Sequence, residues 1–120
     1  MLIIEGTTIK ASRGDDVTIL FSCEDKNGEI YTFTEGETVQ FRIFDKDGYK
    51  KEPLLYKQYL IDEDKTVIEI NLTSVDTTIG EPINNPKTYW YEISIDEINT
   101  IIGYENDPAL FVLLPARGNS

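Results

Sequence analysis

Residues 87–96 read Lys-Thr-Tyr-Trp-Tyr-Glu-Ile-Ser-Ile-Asp, and this stretch decides the fold class of the chain. From Tyr89 to Ile95 every odd-numbered residue is tyrosine or isoleucine, and the residues between them are mostly polar. Because side chains alternate between the two faces of a β-strand, the pattern predicts a strand with one face on a hydrophobic core. Trp90 then falls on the opposite face, where it needs cover from a neighbouring loop or contact with a partner.

Similar short segments run through the rest of the chain. Strands are predicted at residues 2–11 (broken near Gly6), 17–23, 29–33, 38–44, 66–72, 89–95, 100–104 and 109–114, with a less regular segment at 50–61. Turns such as Asp25-Lys26-Asn27-Gly28 separate them, because asparagine and glycine tolerate the positive φ of a hairpin turn. The set predicts an all-β domain, a β-sandwich of about 7–8 antiparallel strands, with a small barrel as the alternative.

One short helical turn is predicted near residues 73–79. Thr73 or Ser74 can cap its start, and Gly80 can end it. The chain has 120 residues, which fit one domain. We place the single β-sandwich domain at residues 1–115 and predict a disordered C-terminal tail at residues 116–120.

The chain is strongly acidic, with 22 acidic and 11 basic residues and a formal net charge of −11. This balance argues against binding to nucleic acid or to an anionic membrane surface, since both need clustered lysine and arginine. The acidic residues fall mainly in turns and on alternate strand positions, as expected for a solvated surface that resists aggregation. Ca²⁺ sites, a basic partner and mimicry of nucleic acid are the alternative interpretations.

No catalytic, cofactor-binding or metal-binding residue is predicted. The chain has no histidine, which removes the Ser-His-acid and Cys-His systems and the commonest ligand of transition metals. Cys23 alternates with apolar residues and is predicted to be a small buried hydrophobe. With 22 acidic residues some carboxylate pair always has glycosidase spacing, so the carboxylates do not support an enzyme. We therefore expect a protein that is not an enzyme.

Two short motifs resemble binding sites but predict turns. Asp45-Lys46-Asp47-Gly48 lacks the ligand spacing of a Ca²⁺ loop and predicts a hairpin turn. Arg13-Gly14-Asp15 matches a tripeptide that some adhesion receptors read, yet glycine and aspartate here suit a turn before a strand. The start of the chain, residues 1–5, is too short and too acidic for a signal peptide, and no segment approaches a membrane span.

Several segments together carry a family resemblance. They are Ile9-Lys10-Ala11-Ser12-Arg13-Gly14-Asp15-Asp16, Val39-Gln40-Phe41-Arg42-Ile43 with the turn at 45–48, Ile68-Glu69-Ile70-Asn71-Leu72-Thr73 leading to Asp76-Thr77, Tyr89-Trp90-Tyr91-Glu92-Ile93, and Leu110-Phe111-Val112-Leu113-Leu114. In this order they are similar to the small immunoglobulin-like modules of tail and baseplate proteins from phages and prophages of Gram-positive bacteria. The N-terminal domain of upper baseplate proteins is the named relative that the chain resembles. The long helical and receptor-binding regions of that relative are absent from this chain, which favours a stand-alone accessory protein or an excised domain.

The resemblance implies an immunoglobulin-like β-sandwich with a non-enzymatic structural role in a tail, baseplate or fibre. It implies protein–protein contacts with other phage structural proteins or with copies of this chain. It also implies assembly in the bacterial host cytoplasm and then a place in the virion. Within such a module we expect Trp90, Phe44 and Tyr104 to form the interface.

Two other classes of function stay open. The first is a module that binds host-surface carbohydrate or a receptor, with Ca²⁺ held in acidic loops. The second is an acidic inhibitor of a host nucleic-acid enzyme, which predicts one contiguous face of carboxylates.

Overall fold

The structure is a computed structural model that describes residues 2–5, 7–25, 27–45, 52–80, 85–97, 99–102 and 109–115. Within these ranges the chain forms nine strands and one 3-10 turn. The strands are β1 (Leu2–Glu5), β2 (Thr8–Ser12), β3 (Val17–Phe21), β4 (Thr38–Phe44), β5 (Leu55–Leu60), β6 (Ile68–Leu72), β7 (Lys87–Ile95), β8 (Asn99–Ile102) and β9 (Ala109–Leu114). The 3-10 turn is Asp76–Thr78, between β6 and β7. The protein is therefore all-β, as the alternating pattern predicts.

The strands form two sheets of very unequal width. The large sheet has the order β1-β2-β9-β7-β4-β5, with β8 also paired to β7, and the small sheet contains β3 and β6. Pairing is antiparallel except between β2 and β9, which run parallel. That pair differs from the antiparallel prediction because its two strands lie far apart in sequence, so no hairpin sets their relative direction.

β7 lies inside the large sheet, with β4 along one side and β9 and β8 along the other. Its inward side chains are all buried, which confirms the prediction from residues 87–96. They are Tyr89, Tyr91, Ile93 and Ile95. The Tyr91 hydroxyl donates to the Thr7 carbonyl oxygen at 2.5 Å, so this strand also holds the turn between β1 and β2.

The small sheet packs on the inward face of the large sheet and closes the core. Its inward side chains are buried and those between them are exposed. In register, the buried pairs are Val17 with Leu72, Ile19 with Ile70, and Phe21 with Ile68. Burying each such side chain contributes about 1.5–3 kcal/mol, so these two strands supply much of what holds the sandwich together.

Two predicted strands differ in the structure. Residues 2–11 form the β1–β2 hairpin instead of one broken strand. Residues 29–33 form only isolated bridges, from Glu24 to Ile30 and from Phe33 to Lys65. Phe33 is buried and Tyr31 packs against its ring edge, with centroids 5.0 Å apart. The alternation at 29–33 therefore reflects the packing of the Tyr31 and Phe33 rings. The backbone pairs with Glu24 at Ile30 but with Lys65 at Phe33, so no continuous ladder of hydrogen bonds forms.

The predicted helical turn is present, at Asp76–Thr78. The residue at its N-cap position is Val75, which makes no capping bond with its side chain, so neither predicted cap, Thr73 or Ser74, occupies that position. Just before the turn, the Asp76 amide donates to Thr73 Oγ1 at 3.3 Å and the Thr73 amide donates to Asp76 Oδ2 at 2.8 Å, a reciprocal pair similar to a capping box. Gly80 follows with a φ of 74°, and any Cβ there would collide with the Tyr89 hydroxyl. Position 80 thus requires glycine for two reasons, the positive φ and the close approach of the Tyr89 hydroxyl.

The buried apolar residues other than Phe44 form one core cluster that runs from Ile9 to Leu113. Cys23 is half-buried and packs against that core, and burial raises the pKa of its thiol. The predicted tail at 116–120 and most of the predicted turn at 45–48 lie outside the described residues. In the described part of the chain, no helix has the length and apolar character needed to cross a membrane.

Candidate functional site

Trp90 and Phe44 lie side by side on the outward face of the large sheet. They are direct partners in the register between β4 and β7. Phe44 is only 2% exposed and Trp90 is half-buried, so this chain itself covers most of the Phe44 side chain. Tyr104, the third residue expected at an interface, lies outside the described residues. An interface formed by these three residues stays a prediction.

A network of polar side chains continues the same outward face. Its members are Thr38, Gln40, Arg42, Tyr56, Gln58, Glu92, Ser94, Asp96 and Glu97, and we call it the outer-face network. Three members, Gln40, Glu92 and Ser94, are buried although they point away from the core. Polar side chains on an outward face usually reach water. Because Gln40, Glu92 and Ser94 are buried, their polar atoms need hydrogen-bond partners within the chain.

Gln40 is the centre of the outer-face network and is fully buried. Its Oε1 accepts from the Glu97 amide at 2.8 Å and from the Ser94 hydroxyl at 3.0 Å, and its Nε2 donates to Thr38 Oγ1 at 2.8 Å. These bonds satisfy the buried carboxamide, which would otherwise destabilise the fold. One side chain thus joins β4, β7 and the turn after β7.

Arg42 balances the charge of the outer-face network. Its guanidinium is paired with Glu97 and lies 3.6 Å from a Glu92 carboxylate oxygen. It also stacks on the Tyr56 ring, 4.6 Å from the centroid, in a cation–π contact. Burial, together with a hydrogen bond to Glu97, raises the pKa of the Tyr56 hydroxyl. Arg42 thus lies between the carboxylates of Glu92 and Glu97.

The turn between β7 and β8 has an uncommon backbone. Asp96 and Glu97 have φ values of 52° and 59°, the left-handed region that residues other than glycine adopt at a cost of about 1–2 kcal/mol. Asp96 Oδ1 accepts from the Thr38 amide at 2.8 Å, and the Glu97 amide donates to Gln40. The outer-face network holds the strained turn in place and so fixes the shape of this surface.

The outer-face network has the properties of a rigid surface. The carboxamide of Gln40 and the guanidinium of Arg42 are occupied by partners within the chain. Among the described residues, no group of three His, Cys, Asp or Glu side chains is arranged to hold a metal ion. What the geometry provides is a defined shape, with the ion-paired Glu97 side chain 55% exposed at its edge.

Arg13-Gly14-Asp15 forms a turn, as predicted, and has a structural role. The Gly14 amide donates to Thr77 Oγ1 at 3.0 Å, and Thr77 Oγ1 donates to the Asp15 carbonyl oxygen at 2.8 Å. The Arg13 guanidinium donates to three carbonyl oxygens at the end of the 3-10 turn, those of Ile79 (2.9 Å), Thr78 (3.0 Å) and Gly80 (3.3 Å). We call this arrangement the Arg13 clamp. Since the guanidinium is occupied, the tripeptide is not presented as an adhesion loop would present it.

The two sheets end at the same side of the sandwich, at β5 and β6. In the described residues β5 pairs only with β4, and β6 pairs only with β3. A cleft of about 360 Å³ lies between them, and we call it the edge cleft. Its lining residues are Tyr59, Leu60, Ile61, Asp62, Lys65, Val67, Ile68, Glu69 and Asn71. Reasoning from the sequence missed this cleft, because it depends on which strands lie next to each other.

Tyr59 is the unusual residue of the edge cleft. Its hydroxyl oxygen is buried and has no hydrogen-bond partner among the described residues. Burial raises the pKa of this hydroxyl, and the nearby Asn71 backbone opposes the rise without completing a hydrogen bond of normal geometry. A buried hydroxyl without a partner costs about 1–3 kcal/mol. Beside it, Leu60 is 69% exposed, which is uncommon for a large apolar side chain.

A second cleft, of about 260 Å³, lies between β3 and the β1–β2 hairpin. Ile4 and Leu20 line it and are exposed. Both edges of the small sheet are therefore bordered by clefts, because two strands cover only part of the large sheet.

Comparisons of the chain with protein-family models, with curated proteins and with solved structures found no match.

Proposed function

We propose that this chain is a non-enzymatic assembly module that acts through protein–protein contacts, as a structural protein of a phage or prophage tail, baseplate or fibre. The observation that carries the proposal is the edge cleft, where, among the described strands, each sheet ends in a strand with one neighbour. Such strands offer unpaired backbone donors and acceptors to another chain, and soluble proteins usually protect them. The exposed Leu60 adds apolar contact area at the same place.

The rigidity of the described core and surface also supports an assembly role. A preformed surface loses little conformational entropy when a partner binds. The outer-face network and the Arg13 clamp each fix a turn by hydrogen bonds between distant parts of the chain. The surface beside them is thus preorganised.

The tail or baseplate context is supported by the family resemblance. The residues that carry it have defined roles in the fold: Arg13 and Gly14 hold the 3-10 turn, and Tyr89 and Tyr91 fill the core. The net charge of −11 favours a partner with a basic surface over a second copy of this chain.

The test is direct mixing of the purified chain with the products of its neighbouring genes, followed by light scattering and native mass spectrometry. A stoichiometric complex with a tail or baseplate subunit is expected. Leu60→Lys should weaken the complex, whereas Ile30→Lys, at a residue 65% exposed away from the edge cleft, should not. A chain that stays monomeric with every neighbouring product, or that lies among metabolic genes, would contradict the proposal.

A further inference from the structure

In the part of the chain that the structure describes, the small sheet has no strand on the side of β6 away from β3. In immunoglobulin sandwiches one sheet has the strand order A-B-E-D. If β3 and β6 correspond to strands B and E, the position of strand D lies beside β6. Here the chain passes from β5 in the large sheet to β6 in the small sheet through residues 61–67 alone. Ile61 and Lys65 of that connection are already hydrogen-bonded to Glu37 and Phe33, so the connection supplies no strand of its own.

The missing neighbour leaves the inward face of β5 incompletely covered. Leu55, Lys57 and Tyr59 are the register partners of Ile43, Phe41 and Val39, so they point to the same inward side of the large sheet. The β4 residues of these pairs are fully buried, whereas the β5 residues are only half-buried. The edge cleft therefore lies where another strand would complete the small sheet.

Two features of the edge cleft fit a polypeptide backbone. β6 has one neighbour, β3, so its other edge can pair with an added strand in the described structure. The Tyr59 side chain lines the cleft, and its enclosed hydroxyl has no hydrogen-bond partner among the described residues. An added strand that drew this side chain toward its backbone would give the hydroxyl a partner.

The charges of the cleft indicate what kind of segment fits. Asp62 is paired with Lys65 at 3.3 Å, which leaves Glu69 as a lining carboxylate that takes part in no ion pair of the described residues. Glu63 and Asp64 are exposed on the adjoining turn. A second copy of this chain would bring the same negative charges together. A basic segment would meet complementary charge.

We propose that the edge cleft binds an extended, basic segment of a partner protein, which pairs with β6 as an added strand and carries lysine or arginine toward Glu69. This inference rests on the proposed assembly function and names the class of partner. The added strand would supply the missing third strand of the small sheet.

The experiment uses three peptides of about eight residues, acetylated and amidated, with the purified full chain. One alternates lysine and valine, the second alternates lysine and proline, and the third alternates glutamate and valine. Proline removes ladder donors while the charge is kept, and glutamate inverts the charge while the strand pattern is kept. Amide NMR shifts and hydrogen exchange report where each peptide binds.

The lysine–valine peptide is expected to shift and protect the amides of residues 68–72, and the other two are expected to bind at least about tenfold more weakly. Glu69→Lys should weaken the lysine–valine peptide by about tenfold, whereas Glu24→Lys, at an exposed residue outside the cleft, should leave its affinity unchanged. Equal binding of the lysine–proline peptide, shifts confined to β1 or β3, or no binding at millimolar concentration would overturn the proposal.

The two proposals can fail separately. If a complex with a neighbouring gene product survives Glu69→Lys and leaves the β6 amides unprotected, assembly stands and the strand-addition site is wrong. If the lysine–valine peptide binds β6 but no neighbouring product forms a complex, the site stands and the tail or baseplate role is wrong.

Discussion

At the scale of single residues, three side chains show how the number of hydrogen-bond partners of a polar group affects the stability of this fold. Arg13 has three carbonyl acceptors, Tyr31 has Glu37 as its acceptor at 2.7 Å, and Tyr59 has none among the described residues. All three are polar groups on long side chains next to the core. Their effects on stability should therefore differ in sign as well as size.

Replacement of Tyr59 by phenylalanine should stabilise the isolated protein. Tyr59→Phe removes a buried hydroxyl that has no partner, so the free energy of unfolding should rise by about 1 kcal/mol. Tyr31→Phe makes the same chemical change where the hydroxyl donates to Glu37, and it should lower the free energy of unfolding by about 1 kcal/mol. Urea unfolding followed by circular dichroism measures both. A loss of stability in Tyr59→Phe would show that its hydroxyl is satisfied in solution.

Arg13→Lys should destabilise the protein although it keeps the charge. An ammonium cannot reach three carbonyl oxygens in the plane that a guanidinium spans, so we expect a loss of about 2 kcal/mol. Arg13→Ala should lose at least as much, and equilibrium unfolding in urea compares the two variants. A change below about 0.5 kcal/mol, the size of an ordinary surface substitution, would mean that the Arg13 clamp contributes nothing to the fold.

At the scale of elements, the outer-face network joins β4 and β7 to the turn after β7. Gln40→Ala should leave the Glu97 amide and the Ser94 hydroxyl without their acceptor and lower the free energy of unfolding by about 2–3 kcal/mol. Gln58→Ala is the comparison, because Gln58 is an exposed member of the same network and its contact with Gln40 Nε2 is longer, at 3.4 Å. It should lower the free energy of unfolding by less, about 0.5–1 kcal/mol. Hydrogen exchange should also speed up at residues 95–97 in Gln40→Ala alone. Equal effects of the two substitutions would contradict a central role for Gln40.

The alternation of apolar and polar residues in the sequence predicted the strands that have one face on the core. β7 and β6 match their predictions because large apolar residues at every second position can be buried only by a strand. The same reasoning failed at residues 29–33, where Tyr31 and Phe33 are anchored by ring packing while the backbone has only isolated bridges. A period of two in the apolar residues does not show whether a neighbouring strand is available to pair with the segment.

The parts of the candidate site that depend on tertiary contacts were not predictable in this way. The alternation of β4 puts Gln40 on the outward face, but its burial depends on strands and a turn far away in sequence. The edge cleft depends on which strands of the described residues lie next to each other, and a pattern of residues within one strand does not report its neighbours. The predicted interface residues Trp90 and Phe44 are register partners, which their sequence separation alone does not reveal.

At the scale of the whole molecule, two tyrosines, buried Tyr91 and half-buried Tyr31, make the stability of the sandwich depend on pH at alkaline pH. Burial raises the pKa of Tyr91 to about 12, and the hydrogen bond to Glu37, followed by burial, raises the pKa of Tyr31 to about 12. Tyrosine in an unfolded chain has a pKa of about 10. Folding therefore favours the protonated form of both side chains, and each ionisation would add negative charge to a chain that already carries −11.

The sign of the resulting pH dependence follows from these shifts. Because the pKa values are higher in the folded chain, their stabilising effect is complete below about pH 10 and is lost as the pH rises through about 12. Urea unfolding at intervals between pH 8 and pH 12.5, with tyrosinate absorbance at 295 nm, measures the loss. In the double variant Tyr31→Phe and Tyr91→Phe the fall should be less steep, since two of the coupled protons are gone. Stability that stays constant to pH 12, or full tyrosinate absorbance near pH 10.5 in a chain that is still folded, would contradict the burial of Tyr91 and the hydrogen bond of Tyr31.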